Sequence, residues 1–326
     1  MKNRLFGNSG IEVSEIGLGC WQLGGTDWGA VDESVALGIL HAVADSGVTF
    51  FDTADVYGGG QSERLVGRFL KERQGSFFVA TKLGRGGEMY PDGYTRASVR
   101  AAVDASLGRL GVEAIDLMQL HCVPTAVLRE GSVFGWLEEL KNDGKIRLSG
   151  ASVESMEEAE ICLGHGAASL QIIFNIFRQK PAEEILGMAA AQGAGIIVRL
   201  PFASGLLSGA VTAGRTFSEN DHRSYNRNGE SFNVGETFAG LSMDKGVDLM
   251  EDVKALVPPG LALPGFALRW ILDHPAVSTV IPGATKVEQV AGNAGASSLD
   301  PLPLDVHTRL REFYSTKVLP HLRGPN

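Results

Sequence analysis

A chain of 326 residues with 44% apolar content and a net charge of −9 has material for a large core. No run reaches the length of a membrane span, and no lysine or arginine cluster marks a nucleic-acid surface. Three scattered cysteines, Cys20, Cys122 and Cys162, form no CxxC pair, which argues against a disulfide or zinc framework. The opening MKNRLFGNSG lacks the apolar stretch of a signal peptide, so a cytoplasmic location is expected.

Along the chain, short apolar or β-branched runs read as buried strands: IGLGC at 16–20, VTFFDTA at 48–54, FFVATKL at 77–83 and IDLMQLH at 115–121. IRLSGAS at 146–152, LQIIFNI at 170–176, IIVRLP at 196–201 and STVIPGA at 278–284 bring the number to eight. Helical patterns lie between them. Leu65 with Phe69 and Val66 with Leu70 share a face, as do Val99, Val103, Leu107 and Leu110. Val133, Trp136, Leu137 and Leu140 form another stripe, stopped by the turn signal Asn142-Asp143-Gly144. Strands buried on both faces and separated by helices are parallel βα units, and eight such units close into a (β/α)8 TIM barrel. An open doubly wound sheet would need a phosphate fingerprint after the first strand. Gly17-Leu18-Gly19-Cys20-Trp21-Gln22 fails it at the last glycine. One domain over residues 1–326 is expected, with an N-terminal hairpin and an extra C-terminal helix. Two long connections, 84–94 and 202–242, follow the third and seventh strands, where loops belong to a site or its cover.

In a barrel of this kind, polar residues at the C-terminal strand ends read as catalytic. Strand two ends at Asp52, with Tyr57 in its loop; strand three ends at Lys82 and strand four at His121. A free phenol titrates near ~10 and is a reluctant acid, which a neighbouring ammonium improves by stabilising the phenolate. Asp52 keeps Lys82 charged against burial, and His121 donates a hydrogen bond to a substrate oxygen. Taken singly, each has a plainer reading: a structural ion pair, a packed aromatic, a core histidine. Joint placement on one rim lifts the four above those readings. The other histidines, His41, His165, His222, His274, His307 and His321, show no ligand spacing, so no metal is expected.

The segments FFDTADVYGGGQSE, ATKLG, IDLMQLHCVP and VIPGATKVEQVAGNAGA resemble the aldo-keto reductases. That resemblance implies an NAD(P)H-dependent barrel in which Asp52, Tyr57, Lys82 and His121 match a catalytic tetrad. Tyr57 then donates the proton while the nicotinamide delivers hydride to the carbonyl carbon. The reverse reaction, oxidation of an alcohol or sugar, is equally implied.

The cofactor phosphates are expected near the loops after strands seven and eight. There Gly283 permits close approach and Lys286 is the candidate for a 2′-phosphate contact, favouring NADPH, though it also reads as an ordinary solvated lysine. Gln289 and Asn293 follow on the next helix. At the nicotinamide end the resemblance implies Trp21, Asp52, Ser152, Gln171 and Arg199. Val153 departs from the usual asparagine and Arg199 from the usual tyrosine; a guanidinium can also stack under the ring.

The substrate pocket is expected to be rimmed by Trp21, Trp28, Tyr57 and Tyr90. This aromatic, sparsely charged rim suits aldehydes, ketones or aldoses. Cys122 is expected to point away from the interior by strand alternation. Two rivals stand beside this reading: a Schiff-base aldolase with Lys82 as nucleophile, and an NADP(H)-binding regulatory barrel without turnover. No nucleic-acid or membrane partner is expected, and the sequence carries no sign of oligomeric state.

Overall fold

Each of the eight apolar runs forms a strand, and the strands pair in chain order. The computed structural model describes residues 1–29 and 31–325. An antiparallel hairpin, β1 (Asn3–Leu5) and β2 (Glu12–Ser14), precedes the barrel strands. These are β3 (Leu18–Gly19), β4 (Phe50–Asp52), β5 (Phe78–Leu83), β6 (Ile115–His121), β7 (Ile146–Ser152), β8 (Ser169–Ile173), β9 (Gly195–Arg199) and β10 (Val277–Val280). All neighbouring pairs are parallel, and bridges Ile16–Val280 and Gly19–Gly283 join the last strand to the first. The barrel is thereby closed, and its register sets Lys82 beside Gln119 and His121 beside Ser152.

The connecting helices follow the expected periodicity. Helix Arg96–Leu110 starts in a Thr95/Ser98 capping box and stops at Gly111, whose φ of 67° suits glycine. It buries Val99, Val103 and Leu110 against the barrel. Helices Gln61–Glu72 and Ser132–Asn142 cover the flanking strands in the same way.

The hairpin closes the bottom of the barrel. Its fully buried Phe6 packs against Phe50 and Phe78 at ring separations of 5.9 and 5.2 Å, over Ala80, Leu117 and Ile197. With the lower end filled by apolar side chains, the open mouth is the opposite rim, where the C-terminal strand ends gather. The expected C-terminal helix runs over Leu304–Phe313. No helix of the described residues is long and apolar enough to cross a membrane.

Candidate active site

Asp52 ends β4, and five residues later the chain has turned back over the rim. The turn runs through Gly58, where a Cβ would lie 2.1 Å from the carbonyl oxygen of Gly24. This backbone contact lets the turn nest against residues 22–24 and sets Tyr57 stacked beside Trp21, at 5.9 Å between rings. Tyr57 also meets His121 edge-on at 5.8 Å.

Lys82 lies at the centre of the group. Its fully buried Nζ donates to Asp52 Oδ1 at 2.5 Å, to the Thr53 carbonyl at 2.9 Å and to the Tyr57 hydroxyl at 3.1 Å. Three acceptors match the three protons of an ammonium. Burial opposes the charge, but Asp52 and then Tyr57 outweigh it and hold the Lys82 pKa above its usual value. Burial raises the Tyr57 pKa while Lys82 works to lower it, leaving a phenol protonated at neutral pH. His121 is driven well below the usual histidine range, by burial first and then by Arg85, Lys82 and Arg199, so its ring is neutral. Its Nδ1 is buried without a partner among the described residues.

A second layer holds Asp52 in place. Its Oδ2 accepts from Gln119 Nε2 at 3.0 Å and Gln171 Nε2 at 2.8 Å, and Gln171 also donates to Gln119 Oε1 at 3.1 Å. The sequence reading missed Gln119. The available signal was its place two residues before His121, which puts both side chains on the inner face of β6.

These groups open into a cavity of about 1000 Å³. Its wall includes Asp52, Tyr57, His121, Gln171 and Arg199 together with Gly283, Lys286 and Gln289. Trp21, Trp28 and Tyr90 are also on the wall, whereas Ser152 and Asn293 are not. Several sequence expectations change in detail. The amide nitrogen of Gln171 is committed to Asp52 and Gln119. At Gly283, the place a Cβ would take is filled by the Gln22 side chain, 2.1 Å away, so the glycine already accommodates a protein group. Gln289 Oε1 accepts from the backbone N–H groups of Thr285 and Lys286, fixing the loop before its helix.

Two expectations are overturned. Cys122 faces the cavity, because its φ of 49° ends the strand and breaks the alternation beyond His121. Burial, then Glu154, pushes its thiol up to about 12, so it carries no thiolate near neutral pH. The rim is not sparsely charged: Asp27, Arg85, Glu154, Arg199, Arg215, Arg223 and Glu236 all reach the wall. Most come from the two long connections, whose fold no local pattern specifies.

The Aldo/keto reductase family model matches residues 15–315. The chain belongs to the aldo/keto reductase family. It is 30% identical to the aldo-keto reductase YhdN of Bacillus subtilis, over 98% of this chain and 96% of that protein. Among solved structures it is similar to the glycerol dehydrogenase AKR11B4 from Gluconobacter oxydans, with a TM-score of 0.80 and 30% identity, covering 99% of this chain and 98% of that one. The holo form of aldo-keto reductase AKR11C1 from Bacillus halodurans gives 0.76 at 30% identity, with 96% of each chain covered. Membership in this reductase family makes the chain an oxidoreductase on a TIM barrel.

Proposed function

We propose that the chain reduces the carbonyl of an aldehyde, ketone or aldose with NADPH, or runs the reverse oxidation, with Tyr57 as the general acid. The observation that carries this reading is the Lys82 ammonium, shared between Asp52 Oδ1 at 2.5 Å and the Tyr57 hydroxyl at 3.1 Å. As a carbonyl oxygen gains negative charge, Tyr57 passes its proton to it. The phenolate left behind is met by a cation already in place, so little reorganisation is needed. Neutral His121 orients the same oxygen through a ring N–H without competing as an acid.

The cavity fits a dinucleotide. It runs from Tyr57 and His121 across to Lys286, and it is at the upper end of the roughly 300–1,000 Å³ usual for small-molecule sites. Arg199 Nε on its wall is buried without a partner among the described residues, leaving a donor for a bound group. When bound, the reduced nicotinamide supplies the hydride. Trp21, Gln171 and Arg199 are the residues proposed to hold that end; Gly283, Lys286 and Gln289 would hold the adenosine end, with Lys286 on the 2′-phosphate. The aldolase alternative is disfavoured, because Lys82 is held protonated by Asp52 and an ammonium is no nucleophile.

A panel of aldehydes, ketones and aldoses, assayed with NADPH and NADH, tests the reading. Turnover with NADPH is expected, and Tyr57→Phe should lower kcat by about 10²–10⁴ while NADPH binding, read by fluorescence, is kept. Rates within a few-fold of wild type in that variant would remove Tyr57 as the acid. Cofactor binding with no turnover across the panel would favour the regulatory barrel.

A further inference from the structure

Beyond His121 the cavity has a charged floor. Arg85 reaches it from the loop after β5, Cys122 from the end of β6, Glu154 from the loop after β7, Arg199 from the end of β9 and Glu236 from the long connection. Glu236 Oε1 accepts from Arg85 Nη1 at 2.8 Å and lies 3.3 Å from Arg199 Nη1. Burial disfavours the Glu236 charge, but Arg85 and Arg199 override it and hold the pKa low. The Glu154 carboxyl is pushed the other way, by burial first and then by Glu236. Two guanidiniums therefore face one firmly ionised carboxylate, and a third, Arg178, lies buried behind Glu154.

Trp28 Nε1, Asn233 Nδ2 and Arg199 Nε are buried donors on the cavity wall without partners among the described residues, and His121 Nδ1 and Glu154 Oε1 are buried there without partners as well. Arg85 uses only Nη1, toward Glu236 and the Cys122 sulfur; its Nε and Nη2 make no hydrogen bond among the described residues. Its plane lies over the Phe232 ring at 5.0 Å, and its side chain is 18% exposed, toward the cavity. A group that only accepts hydrogen bonds and carries negative charge complements this floor. The loop after β10, proposed for the cofactor phosphates, stands across the barrel mouth from β5, whose following loop carries Arg85.

We propose that Arg85 is a specificity-determining residue that selects aldehydes or ketones carrying a carboxylate, which binds the guanidinium nitrogens that Glu236 leaves free. This rests on the carbonyl-reductase reading above. The test compares kcat/KM for 4-carboxybenzaldehyde and for its methyl ester. Wild type should favour the acid by about ten-fold or more, as expected for a charge-assisted bond to a guanidinium. Arg85→Gln should bring the acid-to-ester ratio near one, and Arg85→Lys should restore part of it. A wild-type ratio near one, or a ratio unchanged in Arg85→Gln, would overturn the proposal. If neither aldehyde is turned over, the reductase reading fails, and binding still decides this one. Benzoate should then quench the fluorescence of Trp21 and Trp28 at about ten-fold lower concentration than benzamide, in wild type but not in Arg85→Gln; equal affinities would refute it.

Discussion

Asp55 stands two residues before Tyr57, half-buried, with Oδ1 enclosed and unpartnered among the described residues. Burial, then Glu63, pushes its carboxyl from 3.8 up to about 6. In that window the folded state keeps a proton that the unfolded chain gives up, so stability falls as pH rises through it and stays lowered above it. An amide at this position has no charge to desolvate. Asp55→Asn should therefore be more stable than wild type at pH 8, and its advantage, measured by urea unfolding, should grow by about 1 kcal/mol between pH 5 and pH 8. An advantage independent of pH would mean that Asp55 is not titrating there. At this scale the tetrad was legible because each member ends a strand or follows one directly, where the barrel leaves little choice of direction. Cys122 was misread at the first residue beyond the strand, where a positive φ replaced the alternation. Arg85 and Glu236 escaped notice because 151 positions separate the two partners, and only the folded loops bring them together.

Between elements, the long connection 202–242 is tied to the loop after β3, residues 21–28. The Tyr225 hydroxyl donates to Asp27 Oδ1 at 2.6 Å, and the backbone N–H of His222 donates to the Asp27 carbonyl at 2.9 Å. Asp27 Oδ2 in turn accepts from Trp21 Nε1 at 2.9 Å. The His222 ring sits against both Trp21 and Trp28, at 4.9 and 4.3 Å. One short polar stretch of the long connection thus fixes the loop that carries two cavity tryptophans. Tyr225→Phe removes a bond to a carboxylate, of a kind worth about 1.5–3 kcal/mol. Its effect belongs to the loop, which should be cleaved by limited proteolysis about ten-fold or more faster, while the global unfolding midpoint stays close to wild type. A fall in global stability without faster cleavage would count against a local tie. All eight strands were legible as apolar runs, though β3 proved only two residues long and closes the barrel largely through isolated bridges. The short helix His222–Tyr225 inside the long connection was not, since four polar residues carry no periodicity.

For the whole molecule, function needs one end of the barrel filled and the other open. Parallel βα repetition gathers the C-terminal strand ends at one rim, and the hairpin fills the opposite end. Phe6 enters from below, and its neighbour Asn8 is held by a backbone bond from its N–H to the Gly193 carbonyl at 2.7 Å. Gly195 leaves room for the Phe6 ring: a Cβ there would lie 3.1 Å from it. With the lower layer packed by Phe6, Phe50, Phe78 and Ile197, Lys82 is kept from water, and Asp52, which borders the cavity above, is sealed from below. Phe6→Ala would empty a fully enclosed site whose walls are strands that cannot collapse inward, a setting in which such truncations cost about 3–5 kcal/mol. The midpoint of urea unfolding should fall accordingly. NADPH affinity and the kcat of the remaining folded protein should change by less than about three-fold, because the plug touches none of the strand ends at the mouth. A large loss of kcat in fully folded Phe6→Ala would show that the lower layer also sets the tetrad's geometry, and that the two ends of the barrel are not independent.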